Sequence, residues 1–293
     1  MFYSKAKGIL SAHNGINIYR GCTHGCIYCD SRSTCYQINH PFEDVEVKEN
    51  GPELLDLALS KKRNKVMVGT GSMCDPYCAI EKEIKYTRKC LEIIEKHHCG
   101  VTIITKSDLI LRDLDILERI NKTAKTVVQM TLTTYDEDLC KILEPHVCTT
   151  KARFEALKVF RDHHIPTVVW LCPFLPFIND TEENLRGLVN YLIEAKVYGI
   201  VFWGVGVTLR EGDREYFYEQ LDKHFPGLKQ KYIDTYGNAY EVRSPKSKQL
   251  TKMVIDLCKQ AGIETDTNRV FAYLSTLPKQ FEQMDLFDSS SNG

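Results

Sequence analysis

Short runs of β-branched and apolar residues alternate with longer amphipathic stretches, and this alternation limits the folds open to the chain. The apolar runs are Ile16–Tyr19, Val66–Gly69, Val101–Thr105, Thr126–Thr131, Thr167–Leu171 and Gly199–Trp203. Most are apolar at successive positions rather than at every second one, the pattern of parallel strands buried on both faces. Between them, residues 53–62, 81–97, 108–121, 151–164 and 181–195 carry apolar positions at helical spacing. A β-α-β-α order with right-handed crossovers makes an α/β fold. Its sheet is either barrel-like, complete or incomplete, or open and doubly wound. In both cases function sits at the C-terminal ends of the strands.

From Arg210 onward the pattern turns helical and aromatic, with a helix expected at 246–261 that stops at Gly262. With no tandem repeat and no long linker, the simplest division is a core over 1–205, a C-terminal extension over 206–287 that packs on it, and a disordered tail over 288–293. The formal net charge is −1. That balance gives no field for a long polyanion, so no stable nucleic-acid complex is expected. No apolar run long enough for a membrane span and no export signal are visible. Twelve cysteines without such a signal suit a reducing, cytoplasmic setting, as thiols or metal ligands rather than disulfides.

Three of those cysteines carry the strongest signal. Cys22, Cys26 and Cys29 leave the first strand at C-x3-C-x2-C spacing on a loop that also holds Gly21 and Gly25. Thiolates are the standard protein ligands of iron–sulfur clusters, and three on a four-iron cluster leave one iron open. A zinc site would need a fourth ligand from His24 or Cys35, at poor spacing. A redox pair of Cys26 and Cys29 would leave Cys22 unused.

The triplet, with Tyr28 as the aromatic before its third cysteine, resembles the signature of radical S-adenosylmethionine enzymes. The segments Asn17–Cys22, Cys74–Tyr77, Thr87-Arg88, Thr105–Ser107, Arg112–Leu114 and Glu144-Pro145 resemble the spore photoproduct lyase-like branch. The resemblance implies a partial (β/α)6 TIM-like barrel with a helical C-terminal extension. It implies a [4Fe–4S] cluster on Cys22, Cys26 and Cys29, and S-adenosyl-L-methionine cleaved there to a 5′-deoxyadenosyl radical. An electron donor such as flavodoxin or ferredoxin would serve the cluster.

Cofactor contacts are then expected from Tyr28, from Gly69, Gly71 and Ser72, from Thr105, Lys106 and Ser107, and from Thr131. Gln129 and Thr133 alternate with Thr131 and are equally suited to be structural filler. Asp30, Asp75 and Cys74 are the candidate catalytic residues: carboxylates able to read a base or sugar, and a thiol near the second strand's end. In the DNA-repairing lyases a tyrosine follows the third cluster cysteine, and here that position is Asp30. The expected substrate is therefore a small nucleotide, with release of queuine from queuosine 5′-monophosphate as the named expectation. Repair of a DNA photoproduct is the alternative, and a non-catalytic iron–sulfur electron carrier is the rival of another class. Arg210, Arg214 and Tyr216 have the chemistry to bind a substrate phosphate, but Glu211 and Asp213 close by make ordinary salt bridges the favoured reading. Cys35, Cys74 and Cys78 raise, without completing, a second cluster motif.

Overall fold

A computed structural model describes residues 1–278, so the expected tail over 288–293 lies outside the described residues. Eleven strands occur among them: β1 (Phe2–Ser4), β2 (Gly15–Ile16), β3 (Tyr19–Arg20), β4 (Glu46–Lys48), β5 (Met67–Thr70), β6 (Gly100–Thr105), β7 (Thr126–Thr131), β8 (Thr167–Trp170), β9 (Gly199–Val201), β10 (Gly206–Thr208) and β11 (Glu241–Arg243). The helices are α1 (Gly51–Ser60), α2 (Glu81–Ile84), α3 (Tyr86–Lys96), α4 (Leu114–Thr123), α5 (Glu137–Leu143), α6 (Thr150–Asp162), α7 (Glu182–Ala195), α8 (Asp213–His224), α9 (Leu228–Tyr236), α10 (Ser247–Gln260) and α11 (Thr267–Ser275).

Six strands form one parallel sheet in the order β2-β5-β6-β7-β8-β9. Its two edges, β2 and β9, do not pair with each other, so the barrel is partial. All six residues of β7 are buried, which is why its sequence does not alternate. Each Val or Ile so buried contributes roughly 1.5–3 kcal/mol. The free edge of β9 is covered by the chain near Glu264, through Ile200 N to Glu264 O at 2.9 Å and Glu264 N to Tyr198 O at 3.0 Å. Covering an edge in this way removes a template for unwanted strand pairing. The lower interior is closed by α11, whose Val270 and Leu274 pack with Val127, Val168 and Val201. Lys125 fastens that helix by donating to the carbonyls of Tyr273 (2.5 Å) and Thr276 (3.0 Å).

Two expected elements are broken in the structure. The strand expected at Ile16–Tyr19 leaves the main sheet after Ile16. Tyr19–Arg20 pairs instead with β4, antiparallel, in a second sheet ordered β1-β4-β3. The helix expected at 81–97 is split at Lys85, which is left-handed with φ 53°. The cause is Glu81, which is fully buried and accepts from Thr87 N (2.9 Å) at the start of α3. A carboxylate at a helix N-terminus is favourable, and it ends one helix to begin the next. The start of the helix expected at 108–121 is a 3-10 segment over Asp108–Asp113, capped by Ser107. No helix among the described residues is long and apolar enough to cross a membrane.

Candidate active site

A cleft of about 640 Å³ opens at the C-terminal ends of the parallel strands. The cysteine loop contributes Cys22, His24, Cys26, Tyr28, Cys29 and Asp30. The loop curls because Gly21 has φ +83°, and any Cβ there would lie 2.5 Å from the Phe42 carbonyl oxygen. Main-chain bonds then dock it on the end of α5 and the turn that follows: Ile27 N to Leu143 O (3.0 Å) and His146 N to His24 O (3.1 Å).

A buried ionic group stands behind the loop. The Tyr28 hydroxyl donates to Glu144, and Glu144 pairs with Arg153. Both charged side chains are 0% exposed. Arg153 also donates to the carbonyls of Thr131 (2.8 Å) and Cys148 (2.8 Å). The residue before the third cysteine is thereby tied to the end of β7.

Asp75 braces the neighbouring strand ends. It accepts from Tyr77 N (2.8 Å), Thr105 Oγ1 (2.6 Å) and Lys106 N (2.7 Å). Burial pushes its carboxyl up, but the adjacent His24 and the bonds from Thr105 and Lys106 N outweigh this and bring it to about 2. His24 Nε2 lies 3.0 Å from Asp75 Oδ2, off line for a hydrogen bond, and neither ring nitrogen has a hydrogen-bond partner. Cys74 lines the cleft and donates to the Tyr19 carbonyl (2.7 Å).

Of the other expected residues, Gly71, Ser72, Thr105, Lys106 and Thr131 all line the cleft. Gly69 and Ser107 do not. Gly69 lies within β5, and Ser107 caps the turn that follows β6, accepting from Leu109 N (3.3 Å). Gly71 also has an internal cause: with φ +99°, a Cβ would sit 2.1 Å from the Ile104 carbonyl oxygen. Gln129 is filler. It donates to Thr102 Oγ1 (2.8 Å) and accepts from Trp170 Nε1 (2.7 Å). Asp30 sits at the rim, accepting from the Tyr36 hydroxyl (2.6 Å) and facing Arg210 Nε at 3.3 Å.

Of the residues weighed for a phosphate, Arg210 lines the cleft, whereas Arg214 and Tyr216 are engaged elsewhere. Arg214 donates to the carbonyls of Leu209, Gly237, Asn238 and Ala239. Tyr216 is covered by the Arg32 guanidinium, 3.7 Å from its ring centre. Cys35 is exposed while Cys74 and Cys78 are buried.

The donor set fits an iron–sulfur cluster. Among the described residues no group of three or more His, Cys, Asp or Glu side chains is placed to hold a single metal ion. A cluster instead gives each thiolate its own iron. Burial pushes the Cys26 thiol up to about 12, with Lys106 acting against it. Burial lowers Lys106, but Cys26, Glu144 and Cys29 outweigh this and raise it to about 12, so it stays cationic beside the thiols. Nδ1 of His24 adds a buried polar atom left for a bound group.

The family model of the radical SAM superfamily matches residues 16–192. An uncharacterized protein of Methanocaldococcus jannaschii is 31% identical over 253 residues, covering 85% of this chain and 86% of its own. One of Mycobacterium tuberculosis is 28% identical over 229 residues, covering 75% and 66%. In fold, the chain is similar to spore photoproduct lyase complexed with dinucleoside spore photoproduct. The TM-score there is 0.63 at 15% identity, over 86% of this chain and 75% of that one. It is also similar to Streptococcus suis SuiB bound to S-adenosylmethionine, with a TM-score of 0.52 at 15% identity, over 86% and 49%. The chain belongs to the radical SAM superfamily. Its cofactors are those of that family, a [4Fe–4S] cluster and S-adenosyl-L-methionine.

The sequence alone did not reveal Arg153, His24 as Asp75's neighbour, or the part of the cleft lining that includes Trp170, Cys172, Trp203, Tyr240, Glu241 and Arg243. Glu144 was visible only as part of the Glu144-Pro145 resemblance.

Proposed function

We propose that Cys22, Cys26 and Cys29 hold the [4Fe–4S] cluster and that the chain is a radical lyase acting on a small nucleotide. The observation that carries this is one cleft lined both by the three thiols and Lys106 and by aromatic and charged residues from 203–243. When bound, the cluster and S-adenosyl-L-methionine supply a 5′-deoxyadenosyl radical able to take a hydrogen atom from a substrate. The chain's own part is positional. Lys106 offers a cation to the cofactor's carboxylate. Asp75 locks the ends of β5 and β6, and Tyr28, Glu144 and Arg153 fix the loop. The barrel core over 1–205 carries the radical site, and the extension from 206 onward, with Trp203 at the core's end, serves the substrate. A cytoplasmic flavodoxin or ferredoxin delivers the electron.

The substrate we name is queuosine 5′-monophosphate, split at its glycosidic bond to give queuine. Reduced, cluster-loaded protein with both S-adenosyl-L-methionine and this nucleotide should yield 5′-deoxyadenosine and free queuine. Formation of 5′-deoxyadenosine with no queuine would remove the substrate and leave the radical chemistry. A second reading, repair of a thymine photoproduct, is favoured by the likeness of fold. It predicts thymine recovered from a dinucleoside photoproduct in the same assay.

A further inference from the structure

The part of the cleft lining formed by Trp203, Tyr240, Glu241 and Arg243 lies outside the part of the chain that matches the superfamily, residues 16–192. Its central feature is Trp203, just past β9, which lines the cleft yet is 55% exposed. The indole is held at one edge. Trp170 meets it edge-on at 5.3 Å and 83°. Trp170 is itself fixed through Gln129 to Thr102. A tryptophan so held, with much of its surface open to a cleft, is a platform for a flat ring.

The residues beside it define which ring. Glu241 and Arg243 are two apart on β11 and so share a face of the strand. Arg243 Nη1 donates to the Trp203 carbonyl (3.4 Å), and Arg243 Nη2 to Glu241 Oε2 (2.9 Å). Trp203, Arg243 and Glu241 are therefore contiguous. Oε1 of Glu241 takes no hydrogen bond from the described residues, while both side chains stay open at 58%. A carboxylate only accepts, so it suits an edge that presents donors. Guanine-type bases offer a ring N–H and an amino group side by side, whereas adenine offers a ring acceptor there.

We infer that Trp203, Glu241 and Arg243 form the seat for a guanine-type base, stacked on the indole with its donor edge on Glu241. This rests on the nucleotide reading above and narrows it to one class of base. The 7-deazaguanine of queuosine shares that donor edge.

Equilibrium binding of GMP and AMP to the cluster-loaded protein tests the seat. The wild type should prefer GMP by roughly tenfold or more. Trp203→Ala should weaken GMP by about tenfold or more, and Trp203→Phe should recover most of it. Glu241→Gln should bring the GMP-to-AMP ratio close to one, a selectivity change that general damage to the fold does not produce. Wild-type protein without a GMP preference, or Trp203→Ala binding GMP as the wild type does, overturns the seat. Assaying 5′-deoxyadenosine from S-adenosyl-L-methionine under reduction, with no nucleotide present, separates the two ideas. Its formation without GMP binding defeats the seat and leaves the radical reading. Selective GMP binding without it does the reverse.

Discussion

The two walls of the cleft rest on opposite uses of charge. Behind the cysteine loop, Glu144 and Arg153 are paired with both side chains 0% exposed, and the Tyr28 hydroxyl completes the group. Across the cleft, Glu241 and Arg243 are paired with both side chains 58% exposed. A buried pair cannot be halved without leaving a bare charge in a dry interior, so its geometry is stiff. An exposed pair exchanges its partner for water at little cost. The wall proposed to hold the reactive group is therefore stiff, and the wall proposed to meet the substrate is the more adaptable.

That contrast has measurable consequences. Arg153→Met should cost about 3–5 kcal/mol in urea unfolding, because Glu144 is left buried and unpaired. A cost below ~1 kcal/mol would show that the pair does not brace the loop. Asp75 comes next. Its folded value of about 2 lies below the ordinary 3.8. A lowered carboxyl stabilises the fold above its unfolded value, and that stability is lost as pH falls through the folded one. The contribution is on the order of 2 kcal/mol, present above about pH 4 and gone below about pH 2. Urea midpoints for wild type and Asp75→Asn should therefore converge as pH drops from 5 toward 2, and a constant gap would contradict the brace. The smallest effect is Arg243→Met, expected to change stability by less than ~1 kcal/mol. A larger loss would erase the difference between the walls.

The same contrast explains what could be read in the sequence. Strands such as Thr126–Thr131 were legible because burial on both faces writes itself as an unbroken apolar run. The cysteine triplet was legible because all its members lie on one short loop. Arg153 was not, since it sits in an amphipathic helix where an arginine reads as solvent-facing. Only the fold brings it to Glu144, nine residues earlier. The break at Lys85 was equally hidden, because it follows from the burial of Glu81 rather than from any helix-breaking residue. Trp203 closed an expected strand, and its open face could not be told from a packed one by periodicity. Arg210 and Arg214 were expected to pair with Glu211 and Asp213 close by in sequence, but their partners are Asp30 and four backbone carbonyls, which only the fold brings to them.

The central claim is that three thiols on one loop hold the group that starts the chemistry. The direct test is iron and sulfide content, with 5′-deoxyadenosine formation under reduction, in wild type and in Cys22→Ala, Cys26→Ala and Cys29→Ala. The wild type should carry about four irons per chain and form 5′-deoxyadenosine. Each variant should lose the cluster and drop to background. A single-cysteine variant that keeps both its cluster and its 5′-deoxyadenosine would contradict the account.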